Sequence, residues 1–189
     1  LTVFDRNSPW SVAIHLGLAL VLLSLVISIA RMNAVSNFNW KAHSRRNSCQ
    51  VISMLAGLVV ATMVSGVIVA KAGATVSCVG WPLCNGQLVP NLNDSRVVLH
   101  VMHRLLALTT LIGILSYACW KWSLRHLAAL VILQVVVGAG VTTVYAGNSF
   151  ALQIGIGVLH QFFAVIIFAT LVWLFWTPAP ASADRCGPK

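Results

Sequence analysis

Apolar and polar positions are arranged along this chain in long blocks, without the short alternation of a soluble strand or the one-sided stripe of a soluble helix. Five apolar runs stand out: Trp10–Arg31, Gln50–Ala70, Val97–Trp120, His126–Tyr145 and Phe150–Trp176. As helix rising about 1.5 Å per residue, each is long enough to cross roughly 30 Å of hydrocarbon. The polar stretches between them are short except for Met32–Cys49 and Lys71–Arg96. The pattern predicts an all-α integral membrane protein with five transmembrane helices, the last four forming a four-helix bundle. Residues 1–49 then hold an outer segment, the first helix and a cytoplasmic linker; residues 50–176 hold the four-helix unit. Residues 177–189, rich in Pro and Ala, read as a disordered cytoplasmic tail.

Composition narrows the class. Hydrophobic residues make up 59% of the chain and charged residues only 8%, where a soluble domain carries about a quarter. The acidic residues are Asp5, Asp94 and Asp184, and there is no glutamate. A net charge of +9 would suggest a nucleic-acid partner, but the cations lie in loops between apolar runs, so the partner is membrane lipid and no nucleic acid is expected. Their distribution orients the chain. With the amino terminus outside, the cytoplasmic segments hold Arg31, Lys41, Arg45, Arg46, Lys121, Arg125, Arg185 and Lys189, against Arg6, Lys71 and Arg96 outside. That places the protein in a cell inner or plasma membrane (or a mitochondrial inner membrane), amino terminus out and carboxyl terminus in. Leu1–Ser8 is loop-like, without the basic start of a signal peptide, and reads as the inside of a longer precursor.

The chemistry lies in the histidines. Ionisable groups within a span are expensive and need a partner or a task. His15, His103 and His160 fall in the outer half of the first, third and fifth helices, which run in the same direction. Two facing imidazoles can hold a haem iron from both sides, and His103 with His160 is read as such a pair rather than as two structural hydrogen-bonders. His100 lies one turn before His103, on a neighbouring part of the same face. It suits a contact to a haem propionate, a proton relay or a plain interfacial position, and the residues do not choose among these. Arg104 suits a propionate as a planar cation, or snorkels to the headgroups. His43 and His126 sit in or beside cytoplasmic loops and receive no role.

The outer loop holds the second constellation. Cys78 and Cys84, with Gly80 and Pro82 between them, can close a small disulfide ring on the oxidising side of the membrane. Such a ring serves either as a staple or as a redox-active pair.

These residues together resemble the haem A synthase family. The loop Gly73-Ala-Thr-Val-Ser-Cys-Val-Gly-Trp-Pro-Leu-Cys-Asn-Gly86 looks like its cysteine-bearing extracellular loop. His103-Arg104 followed by Ala107 is similar to its His-Arg-x-x-Ala helix, Leu133-Gln134 with Gly138 to the next helix, and His160-Gln161 to the last. His15-Leu-Gly-Leu-Ala-Leu20 is similar to the last helix of the family's first half. The chain thus resembles spans four to eight of an eight-span member. The resemblance implies an oxidoreductase that converts the C8 methyl of haem O to the formyl of haem A for cytochrome oxidase biogenesis. It implies a b-type haem on His103 and His160, and substrate porphyrin partly held by His15 with a partner beyond this chain. It also implies a Cys78–Cys84 disulfide, and as associates haem O synthase, oxidase assembly factors, the missing first half or a second copy. His100 stands where the family's first half carries a carboxylate three residues before its histidine, making it a possible catalytic group. The alternatives are a b-type cytochrome that only carries electrons, and a non-catalytic haem-binding subunit of an oxidase assembly.

Overall fold

The computed structural model describes residues 8–33, 47–120, 124–147 and 149–177. They form five helices: α1 (Pro9–Asn33), α2 (Asn47–Lys71), α3 (Ser95–Trp120), α4 (Arg125–Gly147) and α5 (Phe150–Phe175). All five are long and apolar enough to cross a membrane, and no strand occurs among the described residues. The protein is an all-α, multi-pass membrane protein. Each helix extends or stops within a few residues of its apolar run, because the flanking polar residues are used to begin and end it. Pro9 opens α1 where no amide donor is needed, and the Ser8 hydroxyl accepts from the Ser11 amide (3.2 Å). Asp94 takes the same position for α3, accepting from the Arg96 amide (2.9 Å).

Helix α2 ends differently. Gly73 adopts a left-handed conformation (φ 68°), and the amides of Gly73 and Ala74 turn back onto the carbonyls of Ala70 and Val69. This is a Schellman closure, in which glycine reaches positive φ without a side-chain clash. It leaves the Ala74 carbonyl pointing away from the helix it ended.

The four helices α2 to α5 form a ring. Helix α2 packs on α3, α3 on α4, α4 on α5 and α5 back on α2, while α3 and α5 face each other across the diagonal without backbone contact. Helix α1 lies outside the ring against α2 and α5. Buried Ile114, Leu127 and Leu171 mark the core. Where the hydrophobic effect between helices is weak, small residues and polar contacts hold membrane helices together. Gly113 lets Leu55 close in on α3, its Cδ2 only 2.9 Å from where a Cβ would stand. The Thr62 and Thr110 hydroxyls bond across α2 and α3 (2.9 Å). The Trp176 indole donates to Ser28 (2.8 Å) and ties α1 to the end of α5. Helices α4 and α5 are joined by residues 148 and 149 alone.

Candidate functional site

Helix α3 presents His100, His103, Arg104 and Thr110 to the protein, while Met102, Leu105 and Ile112 on the opposite side are at least half exposed. This is the division expected of a helix with lipid on one side and a polar site on the other. His103 lies eight residues into α3 and His160 ten residues into α5, so both rings sit roughly 12–15 Å along parallel helices. They belong to the two diagonal helices, so the structure places His103 and His160 at similar depth across the bundle.

Each ring leans on a glycine of the neighbouring helix. A Cβ on Gly66 of α2 would stand 3.0 Å from His103 Cε1, and one on Gly138 of α4 would stand 2.8 Å from His160 Cε1. A methyl group at either place would occupy space the imidazole now fills. Both are notches that only glycine leaves open.

The hydrogen bonding of the two rings differs. The Ser65 hydroxyl donates to the Thr62 carbonyl (2.8 Å), so its oxygen is free to accept. His103 Nδ1 lies 2.9 Å from it, which makes Nδ1 the protonated nitrogen and leaves a lone pair on Nε2. His160 instead places Nε2 3.3 Å from the Gln134 amide nitrogen. Its Nδ1 and the Gln134 Oε1 are both buried without a hydrogen-bond partner among the described residues. Buried polar atoms are normally paired, and leaving one unpaired costs on the order of 1–3 kcal/mol.

Arg104, His100 and His15 have other surroundings. The Arg104 guanidinium donates to three carbonyls of the loop between α2 and α3: those of Cys78 (2.6 Å), Gly80 (2.8 Å) and Leu83 (3.2 Å). His100, buried, donates Nδ1–H to the Ala74 carbonyl left by the Schellman turn (2.9 Å). Cys78 and Cys84 are joined by a disulfide, and both are buried against Val97. Asn85, at φ 52°, closes the ring a second time. Its amide and side chain bond Val79 and Ser77, each at 2.9 Å. His15 is exposed on α1, which touches neither α3 nor α4, so it is not gathered with the pair. His126 is exposed at the far end of the bundle, and His43 lies outside the described residues.

Sequence reasoning missed Ser65, Gly66 and the notch role of Gly138. The available signal was a Ser-Gly pair inside a Val- and Ile-rich run, since small residues in a membrane helix mark close approach. A cleft of about 300 Å³ opens between α1, α2 and α5 around Ser28, Ser53 and Trp176, away from both rings.

The residues present fit a haem. Two imidazoles project from diagonal helices at similar depth, His103 with Nε2 uncommitted and His160 with a buried Nδ1 that lacks a partner among the described residues. The fold defines the class: a multi-pass helical membrane protein that carries one histidine on each of two diagonal helices. The chain belongs to the cytochrome oxidase assembly protein family COX15-CtaA, whose model matches residues 1–172. It is similar to heme A synthases of Geobacillus kaustophilus (29% identity over 58% of this chain and 38% of the relative) and Alkalihalophilus pseudofirmus (31% identity; 60% and 40%). The match to the heme A synthase of Brucella anthropi is longer, at 27% identity over 91% of this chain and 52% of the relative. The chain thus spans about half, or less, of the length of these relatives. No solved structure matches it.

Proposed function

We propose that this chain is the cofactor-holding part of a haem A synthase, an oxidoreductase that turns the C8 methyl of haem O into a formyl group. The observation that carries the reading is the facing pair His103 and His160 in a chain of this family. In this reading the two rings hold a b-type haem, which when bound supplies the redox chemistry. Ser65 accepts the Nδ1 proton of His103 and so keeps Nε2 basic and aimed inward. Gly66 and Gly138 let the rings retreat against their neighbouring helices. The surrounding apolar helices exclude water from the slot. His15, on the outer helix, is assigned to substrate porphyrin together with a histidine from beyond this chain, either a first half or a second copy.

The loop cations assign the amino terminus to the outside and the carboxyl terminus to the cytoplasm of an inner or plasma membrane. The disulfide loop then faces the oxidising side. Haem O synthase and oxidase assembly factors are the proposed neighbours.

The test is spectroscopic. Protein purified in detergent is expected to show a low-spin b-type haem, and His103→Ala and His160→Ala are each expected to abolish that spectrum. A spectrum that survives both substitutions overturns the ligand assignment. A second reading, a b-type cytochrome that only carries electrons, is favoured by the absence of any glutamate from the chain and by His100 standing at the family's carboxylate position. Haem extraction after co-expression with a haem O source separates the two. Haem A above background supports the synthase, and none supports the cytochrome.

A further inference from the structure

We infer that Arg104 and His100 are the fasteners that hold the Cys78–Cys84 loop on α3, so that Arg104 positions the loop beside His103 and the disulfide serves as a buried staple. The geometry is specific. Cys78, Gly80 and Leu83, whose carbonyls Arg104 engages at 2.6, 2.8 and 3.2 Å, all lie within the ring closed by the disulfide. Only a planar fork of several N–H donors can reach three such acceptors at once, and a lysine ammonium on its flexible stem cannot match it. Arg104 immediately follows His103, so any rotation of α3 that moves the ring also breaks these contacts. His100, one turn earlier, fixes the root of the loop through the Ala74 carbonyl at 2.9 Å. Val97 packs with the two cysteines in one buried cluster, with Cys78 0% and Cys84 5% exposed. An external reductant therefore reaches the disulfide only after the loop lifts. Lifting strands a guanidinium without acceptors at the edge of an apolar phase, an unfavourable state for a charged group. This restricts access to the sulfurs and favours the staple over the redox pair.

The experiment uses the full chain in isolated membranes and has two arms, only the second of which rests on the haem reading. In the first, a membrane-impermeant phosphine reduces the disulfide and the freed thiols are trapped and weighed over time. Losing charge-assisted hydrogen bonds is expected to speed reduction in Arg104→Ala by roughly tenfold or more. Arg104→Lys is expected to fall between, His100→Leu to be faster than wild type, and His100→Gln, which keeps an N–H donor, to stay near it. Reduction at the wild-type rate in every Arg104 variant that accumulates overturns the inference.

In the second arm, the haem absorption bands and midpoint potential are read for Arg104→Lys with the disulfide intact and in a Cys78→Ser/Cys84→Ser background. If Arg104 acts through the loop, the substitution shifts them only while the disulfide is present. An equal shift in both backgrounds assigns Arg104 to the cofactor directly and overturns its positioning role. If the wild type shows no haem spectrum, the proposed function fails while the reduction rates still decide the fastening.

Discussion

The two halves of the histidine site are built on the same plan and finished differently. In each, a helix carrying a glycine packs against a helix carrying the imidazole: Gly66 against His103, and Gly138 against His160. On the α2–α3 side the ring is also set by Ser65, whose own proton is already committed to Thr62. On the α4–α5 side the Gln134 amide lies 3.3 Å from His160 Nε2, while His160 Nδ1 and Gln134 Oε1 have no partner among the described residues. One ring is oriented by the protein alone, and the other retains hydrogen-bonding capacity that the described residues do not use. In the proposed reading His103 would be the pre-set holder of the haem and His160 the one left free to adjust.

The largest effect should come from the rings themselves. His103→Ala and His160→Ala are each expected to lower haem content at least tenfold in pyridine haemochrome assays. An unequal loss, with one variant near wild type, would reduce the pair to a single ligand.

The notches come next. Overpacking a tight contact costs roughly 1–3 kcal/mol, and the closer approach at Gly138 predicts that Gly138→Ala destabilises more than Gly66→Ala. Thermal unfolding in detergent, followed by haem absorbance, would show it. The reverse order would mean that α4 yields more easily than α2.

The smallest effects sharpen the contrast most. Ser65→Ala removes the acceptor of a buried N–H and is expected to weaken cofactor affinity roughly tenfold or more, as loss of such outer-shell partners does. Gln134→Met removes one long amide contact to His160 (3.3 Å) and an oxygen without a partner among the described residues, so a change of under about threefold is expected, near the limit for volume-conserving swaps. Haem titration of apoprotein reads both. If Gln134→Met is as damaging as Ser65→Ala, the two sides are equally organised and the asymmetry is wrong.

Much of this was legible in the residues. Long apolar runs have one outcome in a bilayer, because unpaired backbone groups are not tolerated there. The five helices therefore fall where the hydrophobic blocks do. His103 and His160 stood out by the expense of placing an imidazole in a span, and the Cys78–Cys84 disulfide by the spacing of its cysteines. What the residues did not convey is mostly backbone. The tasks of Arg104 and His100 depend on where the carbonyls of residues 74, 78, 80 and 83 point, and carbonyl directions leave no mark in side-chain identity. The exposed position of His15 follows from helix order in the ring, which depends on packing among faces that are all apolar. The glycine notches were hidden for a related reason, since a missing side chain gains meaning only from what moves into its place.

The two-residue connection between α4 and α5 bears on biogenesis. Gln134, Gly138 and His160 all belong to one tight hairpin, which can enter the bilayer and pack as a unit as soon as it leaves the insertion machinery. The His103 half cannot mature that early. It needs α2, α3 and the whole intervening loop, residues 72–94, to be made before its two helices can meet.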